Sequence, residues 1–262
     1  MTAPAVSATN LTIQLGGAPI LRGVDVIAPT GGWTTIIGPN GAGKTTALRI
    51  IGGLAQPAAG TVELFGEDAQ TLGVRARARL VASMPQNPVI PPRIRVVDYV
   101  LLGRTAHLGT ALRPGPADLA VVEETMVQVD LEGFGGRRVD ELSGGERQRV
   151  VVARSLAQQA PVLLLDEPTT ALDIGHQQEV LETVDRIRVE TGVTVLATSH
   201  DLALAGQYSH HLILLVDGLV RAKGSADEVL RQDVLSEAYN ADLEVSHEDG
   251  EIFVVPRRRK RP

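Results

Sequence analysis

Short apolar runs bounded by Gly, Pro, Asp and Asn open the chain. Leu11–Leu15, Val24–Ala28 and Thr34–Ile37 read as strands, and Thr61–Phe65 as a fourth. Between the last two, apolar positions recur with helical spacing from Gly43 to about Leu54. The character changes between Gln86 and Arg138. Pro85, Pro88, Pro91 and Pro92 cluster at its start, and two helical stretches follow, Val96–Arg104 and Pro116–Val129. Pro116 suits a first helical turn, where the N–H it lacks would have no partner anyway. After Glu141 helix and strand alternate again: helix Gly144–Gln158, strand Val162–Leu165, helix Gly175–Glu190, strand Val193–Ala197. This alternation predicts an α/β fold with a mainly parallel sheet, and residues 86–138 as a helical subdomain inserted into it. The longest strongly apolar runs, Val162–Leu165 and Leu212–Val216, are far too short to cross a bilayer. They read as buried strands.

At 262 residues, 44% of them hydrophobic, the chain suits one large domain or two lobes with a sizeable core. A net charge of −6 supplies no overall basic footprint, so nucleic acid is not an expected partner. Without cysteine there are no disulfides and no thiolate metal sites, which fits a reducing compartment. Met1 to Leu11 has neither a basic nor an apolar signal region, so no secretory signal is expected. The end, residues 256–262, carries Arg257, Arg258, Arg259, Lys260 and Arg261 and reads as a solvated basic tail, with contact to acidic lipid heads as the alternative. Only three lysines stand beside 22 arginines. One of the three is Lys44, inside the clearest motif of the chain.

Gly38-Pro39-Asn40-Gly41-Ala42-Gly43-Lys44-Thr45 fits the phosphate-loop pattern G-x-x-x-x-G-K-[ST], between the strand ending at Ile37 and the helix from Gly43. Glycines let backbone N–H groups curl around an anion, and the helix adds the positive end of its dipole. Lys44 supplies a compact charge for β- and γ-phosphates, and the Thr45 hydroxyl can ligate Mg²⁺; Thr46 follows beside them. Val162–Leu165 then runs into Asp166 and Glu167, whose side chains would point to opposite faces of a strand. That suits a division of labour, Asp166 toward the shell of Mg²⁺ and Glu167 toward an attacking water. Leu142-Ser143-Gly144-Gly145-Glu146 begins a helix. Read alone, Ser143 is as good an N-cap as it is part of a second anion seat. His200 follows the strand Val193–Ala197, at the end of a parallel strand where such sheets place ligands. Its imidazole could meet a terminal phosphate oxygen or act as a structural cap.

Taken in order, these motifs resemble the nucleotide-binding subunits of the ABC ATPase family over roughly Asn10 to Val255. The matches are Walker A at 38–45, the glutamine Gln86, the signature at 142–146 and Walker B at 162–167. Thr170-Ala171-Leu172-Asp173 follows as the D-loop, then His200 as the switch histidine. The resemblance implies a P-loop NTPase core spanning 1–262, with an N-terminal antiparallel β region beside the parallel sheet. It implies ATP and Mg²⁺ as cofactors, with Thr45, Gln86 and Asp166 serving the metal. Glu167 would polarise the water, His200 would sense the γ-phosphate, and Gln86 would link nucleotide to a membrane partner. Two subunits would pair head to tail, so that Ser143, Gly144 and Gly145 cover the γ-phosphate of the partner, with Asp173 alongside. Permease subunits in the membrane, and an extracytoplasmic substrate-binding protein acting through them, would place this chain at the cytoplasmic face.

Two departures matter. The family usually carries an aromatic residue near Leu15 to stack on adenine, and its D-loop more often begins with serine than with Thr170. Within the family, Val96–Arg104 followed by His107-Leu108-Gly109, and the carboxyl-terminal Val234–Val255 stretch, are similar to importers of ferric siderophores, haem and cobalamin. The plainer reading of Val96–Arg104 is a packed helix. Importers of other cargo and soluble ABC ATPases of iron–sulfur assembly are the alternatives. Repair-type ATPases are disfavoured, because the stretch from Thr45 to Ser143 holds no sustained heptads.

Overall fold

The computed structural model describes residues 3–109, 113–170, 172–248 and 251–258. The chain divides into two units, Met1–Gln70 with Thr194–Pro262, and Thr71–Val193.

The first unit opens with strand β1 (Val6–Leu15), which turns through Gly16 and Gly17 into β2 (Ala18–Ala28). Both glycines have positive φ, 58° and 82°, which suits a tight hairpin turn. Strand β3 (Trp33–Ile37) is buried throughout and leads through the glycine-rich loop into helix α1 (Lys44–Ile51). Strand β4 (Ala59–Leu64) returns antiparallel to β1, and the short β5 (Glu67–Asp68) completes an antiparallel sheet ordered β2-β1-β4-β5. Strand β1 begins five residues before the expected start at Leu11. Its register slips between Ala8 and Leu11, where Asn10 has φ 54°, and that bulge interrupts the two-residue period.

The second unit contains α2 (Val74–Leu80), β6 (Val81–Met84), α3 (Val96–Leu101), α4 (Pro116–Gln128), α5 (Gly144–Leu156), β7 (Val162–Asp166) and α6 (Ile174–Thr191). Strands β6 and β7 pair in parallel from Val81↔Val162 to Met84↔Leu165. The helix expected over Val96–Arg104 is α-helical only to Leu101 and tightens into a 3₁₀ turn over Leu102–Ala106. Close approach explains the change. A Cβ on Gly103 would stand 2.1 Å from the carbonyl oxygen of Arg154 on α5. Arg104 follows, buried, with its guanidinium on Asp118 (3.0 Å), the Ala157 carbonyl (2.9 Å) and Gln159 (2.9 Å). His107 Nε2 donates to the Gln158 carbonyl at 2.8 Å. Arg104 and His107 thus dock the turn against the end of α5.

Returning to the first unit, the chain forms β8 (Thr194–Ser199), α7 (Leu202–Tyr208), β9 (His211–Val216), β10 (Leu219–Gly224), α8 (Ala226–Val229), α9 (Gln232–Tyr239), β11 (Leu243–Glu248) and β12 (Glu251–Pro256). Strand β3 lies between β8 and β9 and is parallel to both, while β10 is antiparallel to β9. Ile37, Leu212 and Leu214 share one core cluster with Leu230, Leu235, Leu243 and Ile252, so the carboxyl-terminal helices and hairpin pack on this sheet. The fold is therefore α/β, with parallel pairing in both units and an antiparallel β region in the first. At the carboxyl end Pro256 closes β12, and Arg257 donates to Glu244 from its side chain and to the Asp242 carbonyl from its backbone N–H. Both residues are exposed, and Arg259–Pro262 lie outside the described residues. Among the described residues no helix is long and apolar enough to cross a membrane.

Candidate functional site

In the first unit the loop after β3 is shaped by backbone that only glycine supplies. Gly38 has φ 147°, and a Cβ there would stand 2.0 Å from the Leu215 carbonyl oxygen on β9. Gly43 has φ 105° and would press a Cβ within 2.6 Å of Leu21. Lys44, only 6% exposed, reaches back so that Nζ donates to the carbonyls of Gly38 (2.8 Å) and Pro39 (3.2 Å). Its charge is thereby held over the loop. Asn40 and Gly41 are exposed, Ala42 is buried, and Thr45 and Thr46 are half-buried. Helix α1 has no side-chain cap and no acid in its first turn, so its amino end keeps its positive dipole for an anion.

His200 is exposed, just past β8. The capping role weighed for it belongs to its neighbour: Asp201 accepts the Leu204 N–H at 3.0 Å and starts α7. Leu15 ends β1 opposite Ala18 and is 53% exposed, an apolar surface without a ring.

In the second unit Asp166 ends β7 and is buried. Glu167 has left the strand, with φ 49°. The alternation expected to send these two carboxylates to opposite faces does not apply, because Glu167 adopts a left-handed conformation that costs a non-glycine residue about 1–2 kcal/mol. Its Oε2 accepts both Gln86 Nε2 at 2.8 Å and Thr170 Oγ1 at 3.0 Å. The structure thus brings Gln86, Glu167 and Thr170 onto one oxygen, a convergence that separations of 81 and 3 residues hide in the sequence. Ala171, within the D-loop, lies outside the described residues. Gln148 on α5, missed at the level of sequence, donates to the Pro168 carbonyl just after Glu167.

Ser143 is the N-cap of α5, in a reciprocal box with Glu146. Its hydroxyl accepts the Glu146 N–H at 3.3 Å, and Glu146 Oε2 accepts the Ser143 N–H at 2.8 Å. The Ser143 N–H, then its hydroxyl, holds the Glu146 carboxyl below the usual glutamate range, with Arg137 and Arg149 adding to it. A Cβ on Gly144 would meet nothing within 4 Å, whereas one on Gly145 would strike the ring of His176. Asp173 caps α6, and the His176 backbone N–H, then its ring, lowers the Asp173 carboxyl from its ordinary value. Among the described residues no group of three His, Cys, Asp or Glu is placed to hold a metal unaided.

A strand–loop–helix phosphate seat in one unit, and a strand ending in paired carboxylates beside a glycine-rich helix start in the other, define an ATP-binding, ATP-hydrolysing cassette. Residues 21–170 match the model of the family described as ABC transporter. The cobalamin import ATP-binding protein of Halobacterium salinarum is 40% identical over 95% of this chain, which spans only 62% of that relative's length. The hemin import ATP-binding protein of Streptomyces coelicolor is 40% identical over 96% of the chain and 90% of its own length. The iron(3+)-hydroxamate import ATP-binding protein of Bacillus subtilis is 36% identical over 92% of the chain and 90% of its own. A solved ABC transporter in an inward-facing conformation superposes with a TM-score of 0.85, at 25% identity, covering 98% of both chains. The chain belongs to the ABC transporter family.

Proposed function

We propose that this chain is the ATP-hydrolysing subunit of an ABC importer, powering uptake of a metal chelate (a ferric siderophore, haem or cobalamin) through separate permease subunits. The observation that carries the ATPase reading is the buried Lys44, strapped to Gly38 and Pro39 at the uncapped start of α1. The names of the relatives support the cargo class, and the lack of a membrane-crossing helix among the described residues fits a subunit peripheral to the cytoplasmic face. Backbone N–H groups from Gly38 to Thr46, with Lys44, would hold the phosphates. Thr45, Asp166 and Gln86 offer only hard oxygen donors, which fits Mg²⁺ bound through few protein ligands, phosphates and water. When bound, that ion would neutralise charge on the β- and γ-phosphates.

Glu167 would accept hydrogen bonds from the attacking water and orient it. Gln86 and Thr170, both neutral, hold the carboxylate in place without adding a positive charge of their own. His200 would contact the γ-phosphate. Ser143, Gly144 and Gly145 would cover the γ-phosphate of a second copy, beside its Asp173. The open space at Gly144 supports that pairing, since nothing in its own surroundings excludes a side chain there. An extracytoplasmic binding protein would deliver cargo to the permease, out of reach of this chain.

The test is Glu167→Gln, which keeps the side chain's size and an acceptor but removes the charge. It should bind Mg-ATP, stop turning over, and accumulate as a dimer in size exclusion with light scattering. Adding Ser143→Arg should dissolve that dimer. A Glu167→Gln protein that hydrolyses normally removes Glu167 from the mechanism. Purification from detergent-solubilised membranes should bring an integral-membrane partner. A soluble scaffold partner instead would favour the iron–sulfur type.

A further inference from the structure

One residue of the second unit has no part in the reading above. His176 sits in the first turn of α6, and Asp173 Oδ1 accepts from it twice: from the backbone N–H at 3.0 Å and from ring Nδ1 at 2.7 Å. A carboxylate can only accept, so Nδ1 carries a proton and the bond orients the ring. Its other edge lies against the amino end of α5. A Cβ on Gly145 would stand 2.2 Å from His176 Cδ2 and 2.7 Å from Nε2. Gly145 is not among the glycines with positive φ, and what a Cβ there would meet is the His176 ring, not backbone of another element. The two glycines of the signature are therefore set apart. Gly144 faces open space and Gly145 faces an imidazole.

We infer that His176 is a positioning residue that ties the Asp173 turn to the first turn of α5. One carboxylate oxygen fixes the start of α6 and the ring together, and the ring fixes the distance to Gly145. The N–H groups of Gly144 and Gly145 and the carboxylate of Asp173 then move as one body. This rests on the reading of Ser143–Gly145 as the cover for a partner's γ-phosphate, so its effect belongs to the closed, paired state. First binding of ATP, which falls to Gly38–Thr46, does not depend on it.

The experiment compares the full chain with Lys44→Ala, His176→Ala and His176→Asn, by steady-state hydrolysis, ATP titration and thermal melting. Asparagine keeps a side-chain N–H near the place of Nδ1 and lacks the ring edge. A catalytic group displaced by about 1 Å can cost up to about a hundredfold in rate, so His176→Ala should lose about tenfold in kcat. Its affinity for ATP and its melting temperature should stay at the wild-type values. His176→Asn, which restores the bond to Asp173 without the contact to Gly145, should remain well below wild-type kcat. A His176→Ala protein with wild-type kcat, beside an inactive Lys44→Ala, overturns this inference and leaves the ATPase reading standing. Loss of ATP affinity and melting temperature together with kcat overturns it as well, because the ring would then be general packing. A fully active Lys44→Ala protein would instead remove the phosphate-loop assignment and the inference built on it.

Discussion

Two helix starts in this molecule, α1 and α5, both lie in glycine-rich sequence and are left in opposite states. Helix α1 follows Gly43, has no side-chain cap and no acid in its first turn, and begins with a lysine. Helix α5 follows Ser143, whose capping box with Glu146 satisfies donors reciprocally and places a carboxylate at the positive end of the dipole. A helix amino end carries roughly half a unit of positive charge. Where the chain supplies its own oxygen and its own negative charge, the helix start holds its shape before any phosphate arrives. Where the start has no side-chain cap and no acid in its first turn, a phosphate meets the positive end of the dipole. The difference supports the proposal that first binding of nucleotide falls to α1 and its loop, while the start of α5 is a preformed surface that needs no ligand to hold its shape.

The strongest way to break that comparison is Lys44→Ala. Loss of one preorganised donor at a developing charge costs about a hundredfold to a thousandfold in kcat. Steady-state hydrolysis should fall by at least the lower figure, with ATP binding weakened, and a variant with wild-type turnover would end the claim for α1. Leu15→Tyr sharpens the same claim from the other side. Stacking on a base is worth ~1–3 kcal/mol, and each ~1.4 kcal/mol is tenfold, so affinity for ATP should rise about tenfold. No gain would place the adenine away from Leu15.

Ser143→Ala tests the opposite half. Removing a serine cap costs ~1 kcal/mol, so denaturant melts should show a loss of that size. ATP binding to the single chain should be unchanged. If it weakened as much as in Lys44→Ala, the two helix starts would be equivalent and the contrast would fail.

Much of the fold was legible because its strands are short, apolar and separated by turn residues. Strand β7 and helix α5 lie within two residues of their expected limits at both ends. What stayed hidden has local causes. The bulge at Asn10 breaks the period of β1, and the approach of Gly103 to Arg154 tightens a helix whose residues show no break. The candidate site was legible as motifs and illegible as contacts. Lys44, Asp166 and Glu167 carry their chemistry in their spacing. The left-handed turn at Glu167, the Gln86–Glu167 bond and the ring of His176 on Gly145 depend on which distant residues meet. No periodicity records that.

The smallest expected effect separates the two helix starts by pH. The Glu146 carboxyl is held below its ordinary range, first by the Ser143 N–H and then by the Ser143 hydroxyl. A group whose folded value is depressed stabilises the fold above its unfolded value, about pH 4.3 for glutamate, and loses that contribution as pH falls through the folded value. Helix α1 has no acid in its first turn and so brings no such dependence from that turn. Melting temperatures of wild type and Glu146→Gln, measured from neutral pH downward, should differ by a small constant amount until about pH 4.5 and converge below it. Glutamine keeps an acceptor for the Ser143 N–H, so what converges is the part due to charge. A difference that widened on acidification would mean that Glu146 is destabilised as a carboxylate where it stands. The start of α5 would then be short of positive charge, the reverse of the self-satisfied end described here.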